Sequence, residues 1–342
     1  MIFKDILEKL SRHEHLSNKV AEFALSEIIT GQCNHAQTAA FLFGMRSKGE
    51  TVDELASFVR VMRNASLKVN ASHENAIDLC GTGGDGTGTF NISTATMFVA
   101  AGAGVPVLKH GNRSISSKSG SYDVLEELGV KPDLPKEAVE TCFAETGMAF
   151  MFAPLFHPAM KYVMPARKEL GMRTFFNILG PLLNPAGVKR QVIGAYNKDV
   201  AALMMRILSQ LDTEFAYGVH AADGMDEFTT TTTTHVFTLQ YGKVSSGSTF
   251  DPRMFSLEIQ PSEALLGGDA KFNAEIIRNI LQNKASRAQK EIVLLNATFA
   301  LKASGLFDDI EVAHQKAKES IDSGAAFDKL QQFASVTQKL AQ

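Results

Sequence analysis

The first 65 residues place apolar side chains at helical intervals, with polar residues between them. Phe3, Ile6, Leu7 and Leu10 recur at the spacing of one face of an amphipathic helix. A second helix is predicted from about Ser17 to Thr30. Apolar and polar residues do not alternate one by one in this part of the chain, as they would in a half-buried strand. The chain is therefore predicted to begin with helices alone.

Two further helix starts are predicted from hydrogen-bonding side chains. Two residue pairs have the spacing of a capping box: Asn34 with Gln37, and Thr51 with Glu54. In a capping box, the side chain of each residue accepts a hydrogen bond from the backbone N–H of the other at a helix start. The helix that begins at Asn34 is expected to end near Gly49. Four helices without an intervening strand predict a small all-helical unit.

The pattern changes after a polar, aperiodic segment at residues 67–75, which reads as a linker or hinge. Beyond it, short apolar runs alternate with helical stretches. Strands are predicted at 76–80, 105–109, 148–152 and 191–196, helices at 91–103, 121–128 and 135–146, a hairpin at 236–246 that turns at 241–242, and helices again from about 272. Such alternation predicts a mostly parallel sheet covered by helices, with the small helical unit in front of it.

Composition narrows the class of protein. The chain has 342 residues with 34 basic and 37 acidic side chains, so its net charge of −3 gives no general attraction to nucleic acid or to an anionic membrane. Its three cysteines lie far apart, which favours neither a disulfide framework nor a paired-cysteine zinc site. The first ten residues interleave charged with apolar side chains, unlike a signal peptide. The longest uncharged run, 86–108, contains four glycines and a proline and does not resemble a membrane span. We therefore expect a cytoplasmic protein.

The glycine-rich segment Gly81–Gly86 follows the first predicted strand and formally matches a dinucleotide-binding fingerprint. That site also requires an acid about 20 residues later to hold the ribose hydroxyls. Residues 86–122 contain no Asp or Glu, whereas Lys109, Arg113 and Lys118 are basic. This composition disfavours a dinucleotide site and favours phosphate binding.

A cradle for phosphates is predicted from the glycine segment, the helix that follows it and a second, basic loop. Glycines let backbone N–H groups approach a ligand, and the start of the next helix carries the positive end of its dipole. Asn91, Ser93 and Thr94 lie in that first turn, where their ordinary role is to cap the helix. Residues 109–121 follow the second strand, and because parallel sheets bind ligands beyond their carboxyl ends, both loops should face one crevice.

Asp226 and Glu227 follow a predicted strand that ends at His220. Adjacent carboxylates at a strand end are often only solvated. Beside a phosphate cradle they fit Mg²⁺, which takes one or two protein carboxylates together with substrate phosphates and water. Ser93 could add a further oxygen ligand.

These motifs together resemble the anthranilate phosphoribosyltransferase family. The segments GTGGDGTGTFNIST (81–94), KHGNRSISSKSG (109–120) and GMDE (224–227) match the family in order and spacing, and FNILGPLLNP (176–185) matches it further along. The resemblance covers nearly the whole chain and is densest over residues 78–185. It implies transfer of the 5-phosphoribosyl group of phosphoribosyl pyrophosphate to the amino group of anthranilate, with Mg²⁺ as cofactor, in tryptophan biosynthesis.

The resemblance also implies roles for individual residues. The donor phosphoribosyl pyrophosphate would be held by Gly81, Gly84, Asp85, Thr89, Asn91, Ile92, Ser93, Thr94, Lys109, His110, Gly111, Asn112, Arg113, Ser114, Ile115, Ser116, Ser117 and Ser121. Anthranilate would be held by Gly81, Asn112 and Arg167, and magnesium by Ser93, Asp226 and Glu227. No residue is expected to act as a general acid or base, because an aromatic amine is already neutral at pH 7.

The fold that the resemblance implies is an α/β architecture like that of nucleoside phosphorylases and phosphoribosyltransferases. A small helical domain would comprise residues 1–67 with a return segment at about 164–184, and the donor-binding α/β domain would comprise 68–163 and 185–342. The family closes its two domains on a hinge and usually pairs through the helical one, so a homodimer is expected.

Two alternatives remain at this point. A pyrimidine nucleoside phosphorylase shares the architecture and a glycine-rich phosphate loop, but it needs no metal and lacks the KHGNR segment. A non-catalytic relative that binds nucleic acid should carry a basic groove and should have lost the residues on the anthranilate side. The acidic net charge and the presence of Asn112, Arg167 and Asp226 disfavour that relative.

Overall fold

The computed structural model describes residues 2–71, 73–113 and 118–342, and begins with four helices. These are α1 (Phe3–Ser11), α2 (Asn18–Ile29), α3 (His35–Lys48) and α4 (Val52–Ala65). Both predicted capping boxes are present, at Asn34 with Gln37 and at Thr51 with Glu54, which confirms the predicted helix starts.

The remainder of the chain is an α/β unit. Its elements are β1 (Ile77–Gly81), α5 (Ile92–Gly102), β2 (Val107–Gly111), α6 (Ser121–Glu127), α7 (Lys136–Thr146), β3 (Met148–Phe152), α8 (Ala153–Phe156), α9 (Met164–Leu170), α10 (Phe176–Leu179), β4 (Arg190–Gly194), α11 (Lys198–Leu208), β5 (Phe215–Ala221), β6 (Thr234–Gln240), β7 (Lys243–Val244), β8 (Ser248–Phe250), α12 (Ala270–Leu281), α13 (Arg287–Ser304), α14 (Ile310–Asp322) and α15 (Ala325–Leu340). The short helices α8–α10 have no counterpart in the sequence prediction.

The strands form one mixed sheet in the order β3-β2-β1-β4-β5-β6-β7, with β8 also paired to β6. Strands β1 to β5 are parallel, and the last strands are antiparallel. The predicted α/β fold with a mostly parallel sheet is therefore confirmed. The second strand starts at Val107, two residues later than predicted, because Pro106 has no N–H group to donate to the ladder.

Alternate side chains of the sheet pack on two different layers. In β5, Tyr217 packs on Phe299 of α13, whereas the neighbouring Gly218 faces α11, where an added Cβ would lie 2.9 Å from the Ala201 carbonyl oxygen. The face with Tyr217 packs into the large core around α5 and α13. The face with Gly218 packs into a second core, which is shared with the four N-terminal helices. The sheet is therefore buried on both faces, as parallel strands require.

The chain returns to the N-terminal helices after β3. The Phe175 ring lies 4.6 Å from Phe58 and 6.3 Å from Phe41, measured between ring centroids, and Arg63 of α4 donates to the Leu182 carbonyl oxygen at 2.8 Å. These contacts join the segment after α9 to the helical bundle. Among the residues that the structure describes, no helix has the length and apolar character needed to cross a membrane.

Candidate active site

The glycine loop leaves the carboxyl end of β1 and leads into α5. Gly83, Gly84, Gly86 and Gly88 have φ between 62° and 75°, a backbone conformation that favours glycine. Asp85 organises the loop from within, because its carboxylate accepts hydrogen bonds from the Thr87 N–H and hydroxyl, the latter at 2.6 Å. The loop therefore presents backbone rather than bulky side chains.

The basic loop leaves β2, the parallel neighbour of β1, so both loops lie at the same edge of the sheet. Three hydrogen bonds join the two loops and the elements that flank them. The Lys109 ammonium group, only 2% exposed, donates to the Leu79 carbonyl oxygen and to the Ser93 hydroxyl at 3.3 Å, and the Asn91 amide donates to the Ser119 carbonyl oxygen at 3.2 Å. One crevice therefore lies between the two loops and the start of α5.

The first turn of α5 does not have its expected cap. Asn91 occupies the N-cap position, yet its side chain makes no capping hydrogen bond. The Ser93 N–H is directed at the Glu227 carboxyl group, and the Thr94 N–H donates to the Asn91 main-chain carbonyl oxygen at 3.1 Å. The Thr94 hydroxyl is buried and unpaired among the described residues. A carboxyl group therefore lies at the start of this helix, where the dipole and the N–H groups favour negative charge.

Asp226 and Glu227 follow β5 and meet the glycine loop. The Gly83 N–H donates to the Asp226 carboxylate at 3.2 Å, and the Asp226 N–H donates to Asp85 at 3.4 Å. Burial and then the nearby Asp85 raise the pKa of Asp226 to about 7. Burial and then Asp226 raise the pKa of Glu227 well above its usual value.

This concentration of negative charge fits a divalent cation, which would relieve the repulsion between the carboxylates. Across residues 2–71, 73–113 and 118–342, no three His, Cys, Asp or Glu side chains are grouped closely enough to hold a metal by themselves. The Ser93 hydroxyl and the two carboxylates would therefore hold Mg²⁺ only together with oxygens from substrate and water.

Other predicted donor residues lie around this crevice with different partners. Thr89 forms an isolated antiparallel bridge with Leu266, and the Ser121 hydroxyl donates to the Asn112 carbonyl oxygen at 3.3 Å. Arg113 points towards α6, where its guanidinium is 2.9 Å from Asp123 and 3.8 Å from the Tyr122 ring centre. Ser114, Ile115, Ser116 and Ser117 lie outside the described residues.

Arg167 lies on α9, in the segment that returns to the helical bundle. Its guanidinium lies 5.2 Å from the centre of the Phe176 ring, and burial lowers its pKa. In the described part of the chain no carboxylate is within 4 Å of it. A partly buried cation without an acidic partner is suited to bind a ligand carboxylate.

His110 and His157 form the wall between the basic loop and the segment after β3. Their ring centroids are 5.1 Å apart in an edge-to-face arrangement. Burial lowers the pKa of His157 to about 4 and that of His110 well below its usual value. Both rings are therefore neutral at pH 7 and provide surface rather than charge.

Two residues at the site were given no role by the sequence analysis. Arg173 donates to the Gly84 carbonyl oxygen at 3.0 Å and stacks on Tyr196 at 4.2 Å, so the return segment touches the glycine loop. Gly194, at the end of β4, pairs with Gly81 and lies against the Asp226 main chain. Arg173 lies three residues before the segment 176–185 that matches the family, whereas no local pattern indicated Gly194.

Known protein families and known relatives match nearly the whole chain, including the motifs that line the crevice. Residues 4–66 match a model described as the helical bundle domain of a glycosyl transferase family, and residues 73–327 match the a/b domain of a glycosyl transferase family. The chain is 47% identical to an anthranilate phosphoribosyltransferase of Salinibacter ruber and 46% identical to one of Pelotomaculum thermopropionicum, with at least 98% of each chain covered.

Solved structures of anthranilate phosphoribosyltransferases have the same fold as this chain. A crystal structure of anthranilate phosphoribosyltransferase from Thermus thermophilus superposes with a TM-score of 0.90 at 34% identity, covering 97% of this chain and 99% of that one. The Saccharomyces cerevisiae enzyme in complex with PRPP and Mg superposes with a TM-score of 0.89 at 27% identity, with 98% of each chain covered.

Proposed function

Because this chain belongs to the anthranilate phosphoribosyltransferase family of glycosyl transferases, we propose that its reaction takes place in the crevice beyond strands β1, β2 and β4. The protein is an enzyme that transfers the 5-phosphoribosyl group of phosphoribosyl pyrophosphate to the amino group of anthranilate, in tryptophan biosynthesis. The products are N-(5-phosphoribosyl)anthranilate and pyrophosphate. The phosphorylase and nucleic-acid-binding alternatives have no support among these relatives.

The donor binds, in this proposal, between the glycine loop and the basic loop. As the bond between the ribose C1 and the pyrophosphate oxygen breaks, positive charge develops on the ribose and negative charge on the leaving group. Backbone N–H groups of the glycine loop, the start of α5 and the Lys109 ammonium group supply prearranged positive charge where the leaving group departs. The contact of Lys109 with Ser93 is the observation that carries this proposal, because it joins the strand before the basic loop to the helix start after the glycine loop.

Magnesium is the proposed cofactor, held by Ser93, Asp226 and Glu227. When bound, it neutralises charge on the pyrophosphate and makes it a better leaving group. The two carboxylates can contact a diphosphate only across such a cation, since their own charge would repel it. The raised pKa of each carboxyl supports this assignment, because both groups lie in a site that favours the neutral form until a cation is present.

Anthranilate is proposed to bind beside the donor with its carboxylate on Arg167. The guanidinium can donate two parallel hydrogen bonds to that carboxylate, while Asn112 and Gly81 line the approach to the donor. The amino group of anthranilate is uncharged at pH 7 and attacks the ribose without help from a strong base. The enzyme therefore acts mainly by holding the two substrates in line.

The direct test mixes purified protein with anthranilate, phosphoribosyl pyrophosphate and Mg²⁺ and follows the loss of anthranilate fluorescence. Thymidine with inorganic phosphate, and single-stranded DNA in a gel shift, serve as controls for the two alternatives. Replacing Asp226 and Glu227 by their amides should raise the Mg²⁺ concentration needed for half-maximal turnover. An unchanged response to Mg²⁺ would remove both residues from the metal site.

We also propose a homodimer formed through the helical bundle. Phe43 on α3 is 56% exposed and Met164 on α9, a helix that contacts α3, is 44% exposed. Burying both against a second copy would remove apolar surface from water. Light scattering on Phe43→Arg and the unaltered protein tests this, since an unchanged mass would contradict it. The division into 1–67 with 164–184 and the remainder, and the cytoplasmic location, stay predictions.

A further inference from the structure

A segment near the C-terminal helices lies along the glycine loop. The Phe90 N–H donates to the Leu265 carbonyl oxygen at 3.1 Å, and the Gly267 N–H donates to the Gly88 carbonyl oxygen at 2.9 Å. Thr89 bridges to Leu266 between these two bonds. Residues 265–268, which we call the brace, therefore hold the last part of the glycine loop as a strand neighbour would.

Asn273 connects the brace to the start of α5. It lies in the first turn of α12, is 2% exposed, and uses both ends of its amide. Its oxygen accepts a hydrogen bond from the Gly268 N–H at 2.8 Å, and its nitrogen donates to the Asn91 side-chain oxygen at 2.9 Å. The contact is close: a Cβ on Gly267 would lie 2.7 Å from the Asn273 oxygen.

The contact from Asn273 determines how the Asn91 amide is oriented. The Asn91 nitrogen donates to the Ser119 carbonyl oxygen at 3.2 Å, and its oxygen is occupied by Asn273. An amide flipped by 180° would lose both bonds, because it would place a donor against a donor and an acceptor against an acceptor. A chain of hydrogen bonds therefore runs from the brace through Asn273 and Asn91 to the basic loop.

This chain explains why Asn91 does not cap its own helix. An Asn at the N-cap normally turns its oxygen to the N–H groups two or three residues on, here those of Ser93 and Thr94. The Thr94 N–H already donates to the Asn91 main-chain carbonyl oxygen at 3.1 Å. Because Asn273 holds the Asn91 side-chain oxygen on the other side, the Ser93 N–H remains directed at the crevice and not at a side chain of the same loop. An anion at the helix start depends on that donor.

We propose that Asn273 is a positioning residue for donor binding: it holds the Asn91 amide against the basic loop and away from the Ser93 N–H, and so keeps that donor directed at the site of the pyrophosphate. The proposal rests on the function proposed above. It assigns no contact between Asn273 and either substrate, so anthranilate binding should be independent of it.

Two substitutions separate this role from simple stabilisation. Asn273→Ala removes both hydrogen bonds, whereas Asn273→Asp keeps an acceptor for Gly268 and places a second oxygen against the Asn91 oxygen. We expect the KM for phosphoribosyl pyrophosphate to rise about 10-fold in both variants, with the KM for anthranilate changed less than about twofold. Asn279→Ala, six residues further along α12, is the matched control and should leave both values unchanged.

The two roles predict different results. If Asn273 only stabilises the fold, the Asp variant should keep a near-normal KM for the donor, because it retains the bond to the brace, and the thermal unfolding temperature alone should fall. That result would overturn the proposal, as would equal rises in KM for both substrates. Calorimetric titration of each folded variant with phosphoribosyl pyrophosphate and Mg²⁺, without anthranilate, measures the donor affinity directly.

A double mutant tests whether Asn273 acts through Asn91. In an Asn91→Ala protein, adding Asn273→Asp should not weaken donor binding further, because the residue through which Asn273 acts is gone. Additive losses would contradict the proposed route. An unaltered protein that does not turn over anthranilate with phosphoribosyl pyrophosphate would instead refute the proposed function, so the two failures are distinguishable.

Discussion

Gly194→Ala should disable the site without unfolding the enzyme. Gly194 ends β4 beside Gly81 of β1, and together the two glycines form the floor under Asp226. A Cβ at Gly194 would overlap the Asp226 carbonyl oxygen and lie 2.7 Å from its carbonyl carbon. The substitution therefore moves the backbone that carries the proposed magnesium ligands.

The size of the effect follows from this contact. Carbon atoms in contact prefer a separation of about 3.5–4.0 Å, so the Asp226 carbonyl carbon must retreat by about 1 Å, and the overlapping carbonyl oxygen by more. Overpacking of this kind costs about 1–3 kcal/mol of folding free energy. A displacement of about 1 Å at a reacting centre can lower the rate about 100-fold, and we expect kcat to fall by that order.

The assay is steady-state turnover, followed by anthranilate fluorescence across a range of Mg²⁺ concentrations, with thermal unfolding of the same samples. Gly194→Ala should lower kcat and raise the Mg²⁺ requirement. Gly218→Ala is the matched control, because its Cβ would also press on backbone, 2.9 Å from the Ala201 carbonyl oxygen, but on the α11 side of the sheet. It should lower the unfolding temperature and leave the Mg²⁺ response unchanged.

Two results would refute this reasoning. One is a Gly194→Ala enzyme with the turnover and Mg²⁺ response of the unaltered protein, which would mean that the position of Asp226 is irrelevant to catalysis. The other is a Gly218→Ala enzyme with the same change in Mg²⁺ requirement, which would attribute the effect to general strain in the sheet.

Three further predictions concern other parts of the site. Arg167→Ala should raise the KM for anthranilate about 30-fold or more, because charge-assisted hydrogen bonds are worth about 1.5–3 kcal/mol; an equal rise for the donor contradicts this. Arg173→Ala removes the bond to the Gly84 carbonyl oxygen and should raise the KM for the donor about 5-fold in steady-state assays, within the range of one hydrogen bond. Asp78 is fully buried, and burial raises its pKa from 3.8 to about 6, so the free energy of unfolding should fall by about 3 kcal/mol as pH rises from 4 through 6. Urea unfolding of Asp78→Asn should show a shallower fall, and an unchanged slope excludes this group.

Local chemistry was sufficient for much of the fold. The Asn34 and Thr51 capping boxes depend on partners three residues away in the chain, and both were predicted correctly. The hairpin turn was also predicted correctly, since Tyr241 and Gly242 both have positive φ, as a two-residue turn of this kind requires. The order and spacing of the motifs in this chain identified the family.

The same local reasoning was wrong about how Asn91 uses its side chain. Sequence predicts a helix cap at this position, but the amide bonds to Ser119 and Asn273, which lie 28 and 182 residues away in the chain. At Asn91, two hydrogen bonds to residues distant in the chain take the place of the single local hydrogen bond of a helix cap. The short helices after β3 were likewise missed, because their ends depend on packing against the bundle rather than on periodicity.

The amino-acid sequence by itself determined the family, the helical and α/β units and the positions of the two loops that are proposed to bind phosphate, because these depend on neighbours along the chain and on the hydrophobic period. Only the tertiary structure decided which side chains meet at the crevice. Lys109 reaches Ser93, Arg173 reaches Gly84, and Gly194 supports Asp226 because parallel strands bring their carboxyl ends to one edge. Such contacts have no signature in local spacing, since the residues that form them come from separate elements that only the packed sheet brings together.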